Sequence, residues 1–254
     1  MVIVSYNLNG IRSAANKGLF AWLAQNEPDV LCIQESKAQP EQIPVAEFEQ
    51  LGYSAYIHSA ERKGYSGVAI FTKIAPDRVQ VGMDIPRYDS EGRVIRADFG
   101  DVTVVDVYVP SGSSGELRQE FKMNFLEVFL KWLKQLRQER KKIIVCGDFN
   151  ICHKPIDINH PERQIGVSGF LPEEREWMDR WQDTGMIDTF RQFHPDEPNQ
   201  YSWWSFRGNA RNTNAGWRID YLWATETISL KQGEIFNGNQ NPQLSDHCPV
   251  MLEI

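Results

Sequence analysis

Four stretches of this chain end an apolar run in acidic, amide or imidazole side chains, the groups that hold a hard cation and move protons. The first is Asn7-Leu8-Asn9-Gly10, where Asn7 and Asn9 share a face if the preceding strand persists and otherwise form a turn. The second, Leu31-Cys32-Ile33-Gln34-Glu35, closes a strand-like run with a carboxylate. An oxygen ligand held on a rigid strand suits Mg²⁺, which takes one or two carboxylates and keeps water elsewhere, although many strands end in Glu only because they meet solvent. The third runs from Ile143 to Asn150 and ends in Gly147-Asp148-Phe149-Asn150. Gly147 allows close backbone approach, and Asp148 and Asn150, two apart, can point the same way. A carboxylate beside an amide offers a proton acceptor and a donor to a developing oxyanion, as phosphodiester hydrolysis requires; the same residues also make an ordinary Asp/Asn turn. The fourth is Leu244-Ser245-Asp246-His247-Cys248-Pro249. Adjacent Asp246 and His247 pair poorly with each other, so His247 needs a second carboxylate, and Asp220 in Trp217-Arg218-Ile219-Asp220-Tyr221 is the candidate.

Taken together, these clusters point to metal-assisted phosphoryl hydrolysis. The chain has no P-loop, no G-x-G-x-x-G fingerprint, no catalytic-type serine elbow and no C-x-x-C pair. Nucleotide-driven, dinucleotide and thiol chemistry are thereby disfavoured.

Such groups act together only if strands bring them to one rim. β-Branched apolar runs bounded by turn residues predict strands at 2–6, 30–34, 67–71, 102–109, 143–146, 218–223 and 249–254. Ser113-Ser114-Gly115-Glu116 has capping-box spacing, and Leu117, Phe121, Phe125, Val128, Trp132 and Leu136 follow at helical intervals. A second helix begins near Pro172, carries Trp177 and Trp181 one turn apart and stops at Gly185; a third covers 17–25. The aromatic stripes on these helices read as core packing. With no linker-like tract and no internal repeat, the expectation is one domain over 1–254, of α+β class, with two sheets packed face to face and helices outside.

The composition, 41% hydrophobic and 24% charged over 254 residues, is that of a globular chain able to build a large core. The four cysteines, Cys32, Cys146, Cys152 and Cys248, are scattered and read as buried thiols. The start of the chain has no basic segment before its short apolar run, and no apolar run reaches membrane-spanning length, so a cytoplasmic location is expected, at the nucleoid for a bacterial or archaeal source. A net charge of −7 counts weakly against a nucleic-acid partner. Between Arg191 and Arg218, however, Arg191, Arg207, Arg211 and Arg218 face only Asp196 and Glu197, which suggests a locally basic surface.

In order along the chain, Tyr6-Asn7-Leu8-Asn9-Gly10-Ile11-Arg12, Ile33-Gln34-Glu35-Ser36-Lys37, Gly64-Tyr65-Ser66-Gly67, Tyr108-Val109-Pro110, Gly147-Asp148-Phe149-Asn150, Gly216-Trp217-Arg218-Ile219-Asp220-Tyr221 and Ser245-Asp246-His247-Cys248-Pro249 resemble the exonuclease III family of abasic-site endonucleases, within the endonuclease/exonuclease/phosphatase superfamily. The resemblance covers essentially the whole chain. It implies a four-layer α/β sandwich with two mixed β-sheets and the active site at one edge. It also implies Mg²⁺, with Mn²⁺ able to substitute, held mainly by Glu35 with Asn7 assisting and Asp246 in or near its shell. Asp148 then matches the residue that activates water, Asn150 the one that orients it, Tyr108 a phosphate contact, and His247 a phosphate-binding histidine held by Asp220. Trp203, Trp217 and Ile219 match a pocket for a flipped, baseless sugar, and Arg207 falls where a side chain meets the duplex, whereas Trp204 reads as core. The implied activity is hydrolysis of the phosphodiester 5′ to an abasic site, leaving a 3′-hydroxyl. Removal of blocked 3′ ends accompanies it, by a monomer acting on double-stranded DNA without a membrane.

Ser111 replaces the family's usual asparagine after Tyr108-Val109-Pro110, Ser114 stands near a position that is basic in some members, and the loop from 159 to 169 departs from the commoner version. These departures leave the balance of endonuclease, 3′-exonuclease and 3′-phosphatase activity open. Two alternatives remain: a superfamily phosphatase acting on a lipid headgroup, and a catalytically silent DNA- or protein-binding module.

Overall fold

The computed structural model describes all of residues 1–254. The first half contains β1 (Val2–Asn7), α1 (Ile11–Asn16), α2 (Leu19–Asn26), β2 (Val30–Gln34), α3 (Val45–Gln50), β3 (Ser54–His58), β4 (Val68–Thr72), β5 (Arg78–Val81), α4 (Pro86–Asp89), β6 (Val94–Phe99) and β7 (Val102–Tyr108). There follow α5 (Glu116–Glu139), β8 (Lys142–Asp148), α6 (Pro172–Gln182), β9 (Met186–Asp188), α7 (Thr189–Phe193), β10 (Trp203–Trp204), β11 (Gly216–Trp217), β12 (Asp220–Thr225), β13 (Gln232–Ile235) and β14 (Val250–Glu253).

The strands form two six-stranded mixed sheets, ordered β13-β14-β1-β2-β4-β3 and β5-β6-β7-β8-β12-β9. Each contains one parallel pair, β1 with β2 and β7 with β8, and parallel strands need a crossover. In the first sheet α1 and α2 provide it; in the second, α5 does. Ile3, Val30, Val68 and Ile70 of one sheet meet Ile95, Val104, Ile144 and Leu222 of the other in an apolar layer. Trp22, Leu23 and Phe48 pack on the outer face of the first sheet and Phe125, Phe129, Trp177 and Trp181 on that of the second. Helix, sheet, sheet and helix therefore stack as four layers, because each sheet has apolar residues on both faces to cover.

The strands not expected from the sequence are mainly edges. β3 and β13 border one sheet, and β5 and β9 the other. β6 is interior, but its Arg96 and Asp98 pair at 2.8 Å, which puts charge into an otherwise buried run. The helix expected over 17–25 is α2, which starts behind Gly18 at φ 107°, and the short α1 before it was not expected. The capping box at Ser113 does not form. α5 begins at Glu116 behind Gly115 with no side-chain cap, and Ser113 Oγ instead lies 2.9 Å from Ser111 Oγ. Leu117 is 83% exposed, so the packed stripe starts a turn later, at Phe121. All four cysteines are buried and free. No helix is long and apolar enough to cross a membrane.

Arg191 and Arg218 do not line a basic surface. Arg218 is buried, with Nε 2.8 Å from Asp157 Oδ1 and Nη2 2.7 Å from Asp188 Oδ2, while Arg191 Nη2 reaches Asp157 Oδ1 at 2.7 Å. Burial works against the Asp157 carboxylate, but the two guanidinium groups outweigh it and hold its pKa down at about 2. An unfolded Asp titrates near 3.9, so this group's contribution, about 2 to 3 kcal/mol, is present above pH 4 and is lost as pH falls through about 2. Urea unfolding of wild type and Asp157→Asn across pH 2–6 should therefore give a stability difference that shrinks by roughly that amount at the acid end; a pH-independent difference would exclude this linkage.

Candidate active site

Both crossovers deliver the carboxyl ends of their strands to one rim. Asn7 is the register partner of Gln34 at the end of the first parallel pair, and Tyr108 that of Asp148 at the end of the second. Asp220, the first residue of β12, sits opposite Asp148 in the antiparallel pair. His247 precedes β14, which runs antiparallel to β1 and so brings its N-terminal end to the same rim. Gly147 permits this packing: its φ is 139°, and a Cβ there would stand 1.8 Å from the carbonyl oxygen of Val107.

The chain turns after Asn7, with Asn9 in the left-handed region at φ 47°. Asn7 Oδ1 accepts from the Asn9 amide, while Asn7 Nδ2 donates to Glu35 Oε1 and to Asp148 Oδ2, each at 2.9 Å. Asp148 is further fixed by the Asn150 backbone N–H at 2.8 Å and Asn150 Nδ2 at 3.3 Å. The Ser202 hydroxyl donates to Asp220 Oδ2 at 2.6 Å and accepts from the N–H groups of Ile219 and Asp220. His247 Nδ1 lies 2.9 Å from Asp220 Oδ2, and Nε2 lies 4.0 Å from Asp148 Oδ2.

Burial disfavours the charged imidazole of His247, but Asp220, through charge and hydrogen bond, and then Asp148 and Asp246 push its pKa up to about 10. The ring is thus a cationic donor at neutral pH. Burial, then the charge of Asp220, push Asp148 up to about 8, against the opposing pull of His247. Glu35 is lowered: burial opposes its charge, but the Lys37 ammonium, 2.7 Å from Oε2, and the Asn7 amide prevail. For Tyr108, burial and the neighbouring Glu35 push the phenol well up, so it remains a neutral donor.

These groups line a cavity of about 320 Å³ together with Ser111, Ser113, Val167, Ser168, Gly169, Trp203, Trp217, Ile219 and Asp246. Trp203 and Trp217, paired across β10 and β11, meet edge to face with ring centres 5.8 Å apart. Asp246 does not join the tight cluster; its carboxylate accepts from Asn9 Nδ2 at 2.9 Å and Trp203 Nε1 at 3.1 Å. Arg207 lies apart, exposed on the loop after β10 beside Phe206, which is 76% exposed. Trp204 is core. Sequence reasoning missed Lys37 and Ser202 as site residues. Lys37 follows Glu35 by two positions and was there to be weighed, whereas nothing near Ser202 signals its partner 18 residues on.

A divalent cation fits this arrangement. Ligand atoms of Glu35, Asp148 and His247 lie within 4.8 Å of one another. His247 Nδ1 is engaged by Asp220, and the Glu35 and Asp148 oxygens are the kind of donor that Mg²⁺ prefers. The Lys37 ammonium against Glu35 Oε2 already puts positive charge at this spot.

A sequence profile of the endonuclease/exonuclease/phosphatase family matches residues 4–247. Over essentially its whole length the chain is 38% identical to an exodeoxyribonuclease of Bacillus subtilis, covering 99% of that protein, and 35% identical to the DNA repair nuclease APEX1 of Danio rerio, covering 81%. Among solved structures, it superposes on an AP endonuclease from Archaeoglobus fulgidus with a TM-score of 0.90 at 29% identity. The 3′ phosphatase NExo from Neisseria, bound to a product DNA hairpin, gives 0.92 at 27%; in both cases the whole chain and 99% of the other are covered. With fold, rim and sequence agreeing over nearly all of its length, the chain belongs to the endonuclease/exonuclease/phosphatase family.

Proposed function

We propose that residues 1–254 form one catalytic unit, a Mg²⁺-dependent DNA repair nuclease that hydrolyses the phosphodiester 5′ to an abasic site and also trims blocked 3′ ends. The observation that carries this reading is the meeting, in one cavity, of the Glu35 and Asp148 carboxylates, the His247 imidazole and an aromatic wall of Trp203 and Trp217. The named nuclease relatives support DNA over a lipid headgroup as substrate. A complete set of proton-handling groups favours an enzyme over a silent binding module. The proposed acting form is a monomer.

Glu35 is the principal metal ligand. Asn7 orients it, and Asp246 borders the shell through Asn9. When bound, the cation would neutralise charge on a non-bridging phosphate oxygen or on the leaving oxygen, with Mn²⁺ able to do the same. Asp148, whose proton affinity burial brings close to neutrality, takes the proton of the attacking water. The water oxygen bonds to phosphorus as the P–O3′ bond breaks, and the leaving 3′ oxygen, released as an alkoxide, takes a proton from solvent water to end as a hydroxyl. His247 donates from Nε2 to a phosphate oxygen while Asp220, backed by Ser202, keeps its ring charged and aligned. Tyr108 donates its phenol proton to the same phosphate, and Asn150 keeps Asp148 aimed. Trp203, Trp217 and Ile219 enclose a sugar without its base, and Arg207 meets the duplex outside the cavity.

Asp148→Asn should lower kcat on a duplex with a single abasic site by about 10³-fold or more, with Kd changed by only about threefold or less. A variant that cuts at the wild-type rate removes Asp148 from proton transfer. Trp217→Ala should lower kcat/KM for the same duplex by about tenfold or more, through loss of the cavity wall; equal rates in steady-state assays would place sugar recognition elsewhere. Chelation should abolish incision, and Glu35→Gln should raise the Mg²⁺ concentration for half-maximal rate by about tenfold or more. Metal titration of both proteins checks this, and coincident curves would exclude Glu35 as a ligand.

A further inference from the structure

α5 packs its apolar stripe onto the second sheet, yet that stripe contains Lys122, wholly buried, with Nζ 2.5 Å from Oε1 of Glu174, wholly buried on α6. A buried ion pair is weak support for stability, since well-packed apolar residues of the same volume serve as well or better. What these two charges hold is therefore informative. Lys122 Nζ also donates to the backbone carbonyl of Asn150 at 2.8 Å. Glu174 Oε1 accepts from Gln119 Nε2 at 3.0 Å, and its Oε2 accepts from the backbone N–H groups of Gly169 at 2.6 Å and Leu171 at 3.0 Å. The Ser168 hydroxyl, on the cavity wall, donates to Gln119 Oε1 at 2.7 Å.

Gly169 makes this network matter for the cavity. Its φ is 98°, its carbonyl accepts from the Cys152 N–H at 2.7 Å, and a Cβ there would come within 2.8 Å of the Trp217 ring. The backbone of Gly169 thus packs close against Trp217, with its N–H held by Glu174. Asn150, held by Lys122 through its carbonyl, aims Asp148 through its side chain. One arm of the pair reaches the wall of the cavity and the other the residue that positions the base.

We propose that Lys122 and Glu174 are a positioning pair: the Glu174 arm sets how sharply the cavity separates a baseless sugar from an intact nucleotide, and the Lys122 arm sets the alignment of Asp148. Neither residue touches substrate. This deepens the functional reading above and rests on it.

Two neutral double variants separate the arms. In Lys122→Met/Glu174→Gln the new amide oxygen still accepts from Gly169 and Leu171, while the Asn150 carbonyl loses its ammonium. In Lys122→Met/Glu174→Met both arms are lost. The two readouts are the ratio of Kd for an intact duplex to Kd for a duplex with a stable abasic analogue, measured without Mg²⁺, and kcat on an abasic duplex with Mg²⁺, per folded molecule. The Gln variant should keep the ratio within about twofold of wild type and lose about tenfold in kcat; the Met/Met variant should lose about tenfold in both. Unchanged ratio and kcat with only a lowered Tm would make the pair merely structural and overturn the proposal. An equal drop in the ratio for both variants would overturn the Glu174 arm. The Gln variant alone decides the Lys122 arm should the Met/Met pair fail to fold. A wild type that neither prefers nor cuts the abasic duplex overturns the functional reading, and this inference with it.

Discussion

One neutral amide ties the two sheets together at the rim. Asn7, on the first sheet, gives both protons of its Nδ2 to carboxylates, one to Glu35 beside it and one to Asp148 across the sheet interface. An amide donates without adding charge, so it orients two acids and leaves each free to act. Lysine there would lower both carboxylates, and a third acceptor would force one to stay protonated. Everything else at the rim follows from having these carboxylates close. Glu35, Asp148, Asp220 and Asp246 are faced by the cationic side chains of Lys37 and His247. The balance favours a divalent cation, and it raises the proton affinity of His247.

The site was legible in the sequence because strand ends announce themselves. Apolar β-branched runs that stop at Asn7, Glu35 and Asp148 can be read locally, and the two parallel crossovers turn that local signal into a shared rim. Edge strands such as β3, β5 and β13 were not legible, because a strand with one neighbour keeps polar residues on its open side and loses the alternation that identifies it. Capping residues were misread where the same side chain had other work. Ser113 has the spacing of a cap but turns to Ser111 at the cavity mouth. Ser202 shows the opposite limit: its hydroxyl sits beneath Asp220 only because β10 and β11 pair, and no local pattern encodes that.

Net charge misled for a related reason. Arg191 and Arg218 read as exposed cations in a segment with few acids, yet both are spent on Asp157 and Asp188 in the interior. The cations near the cavity come from elsewhere. Arg93 lies over the Tyr108 ring at 4.8 Å, Arg118 shares Glu91 and the Tyr65 hydroxyl with it, and Lys37 stands against Glu35. An acidic chain can meet a polyanion when its positive groups border the place where phosphate must sit, because at short range local charge outweighs the sum.

Since the proposed metal ligand sits on one sheet and the base and imidazolium-orienting acid on the other, the register between the sheets is itself a catalytic variable. The layer between them is almost wholly apolar, and apolar contact is non-directional, so packing alone fixes spacing better than it fixes sliding. One polar link crosses that layer just behind the rim: Gln34, next to Glu35, donates to Asp106, two residues before Tyr108, at 2.6 Å, and also to Ser5 at 2.9 Å. Burial pushes the Asp106 carboxyl well up, so it serves as a neutral acid and adds no negative charge to a rim already rich in it. A directional bond within an otherwise slippery interface specifies one alignment of the sheets, and that alignment keeps Asn7 within reach of both Glu35 and Asp148.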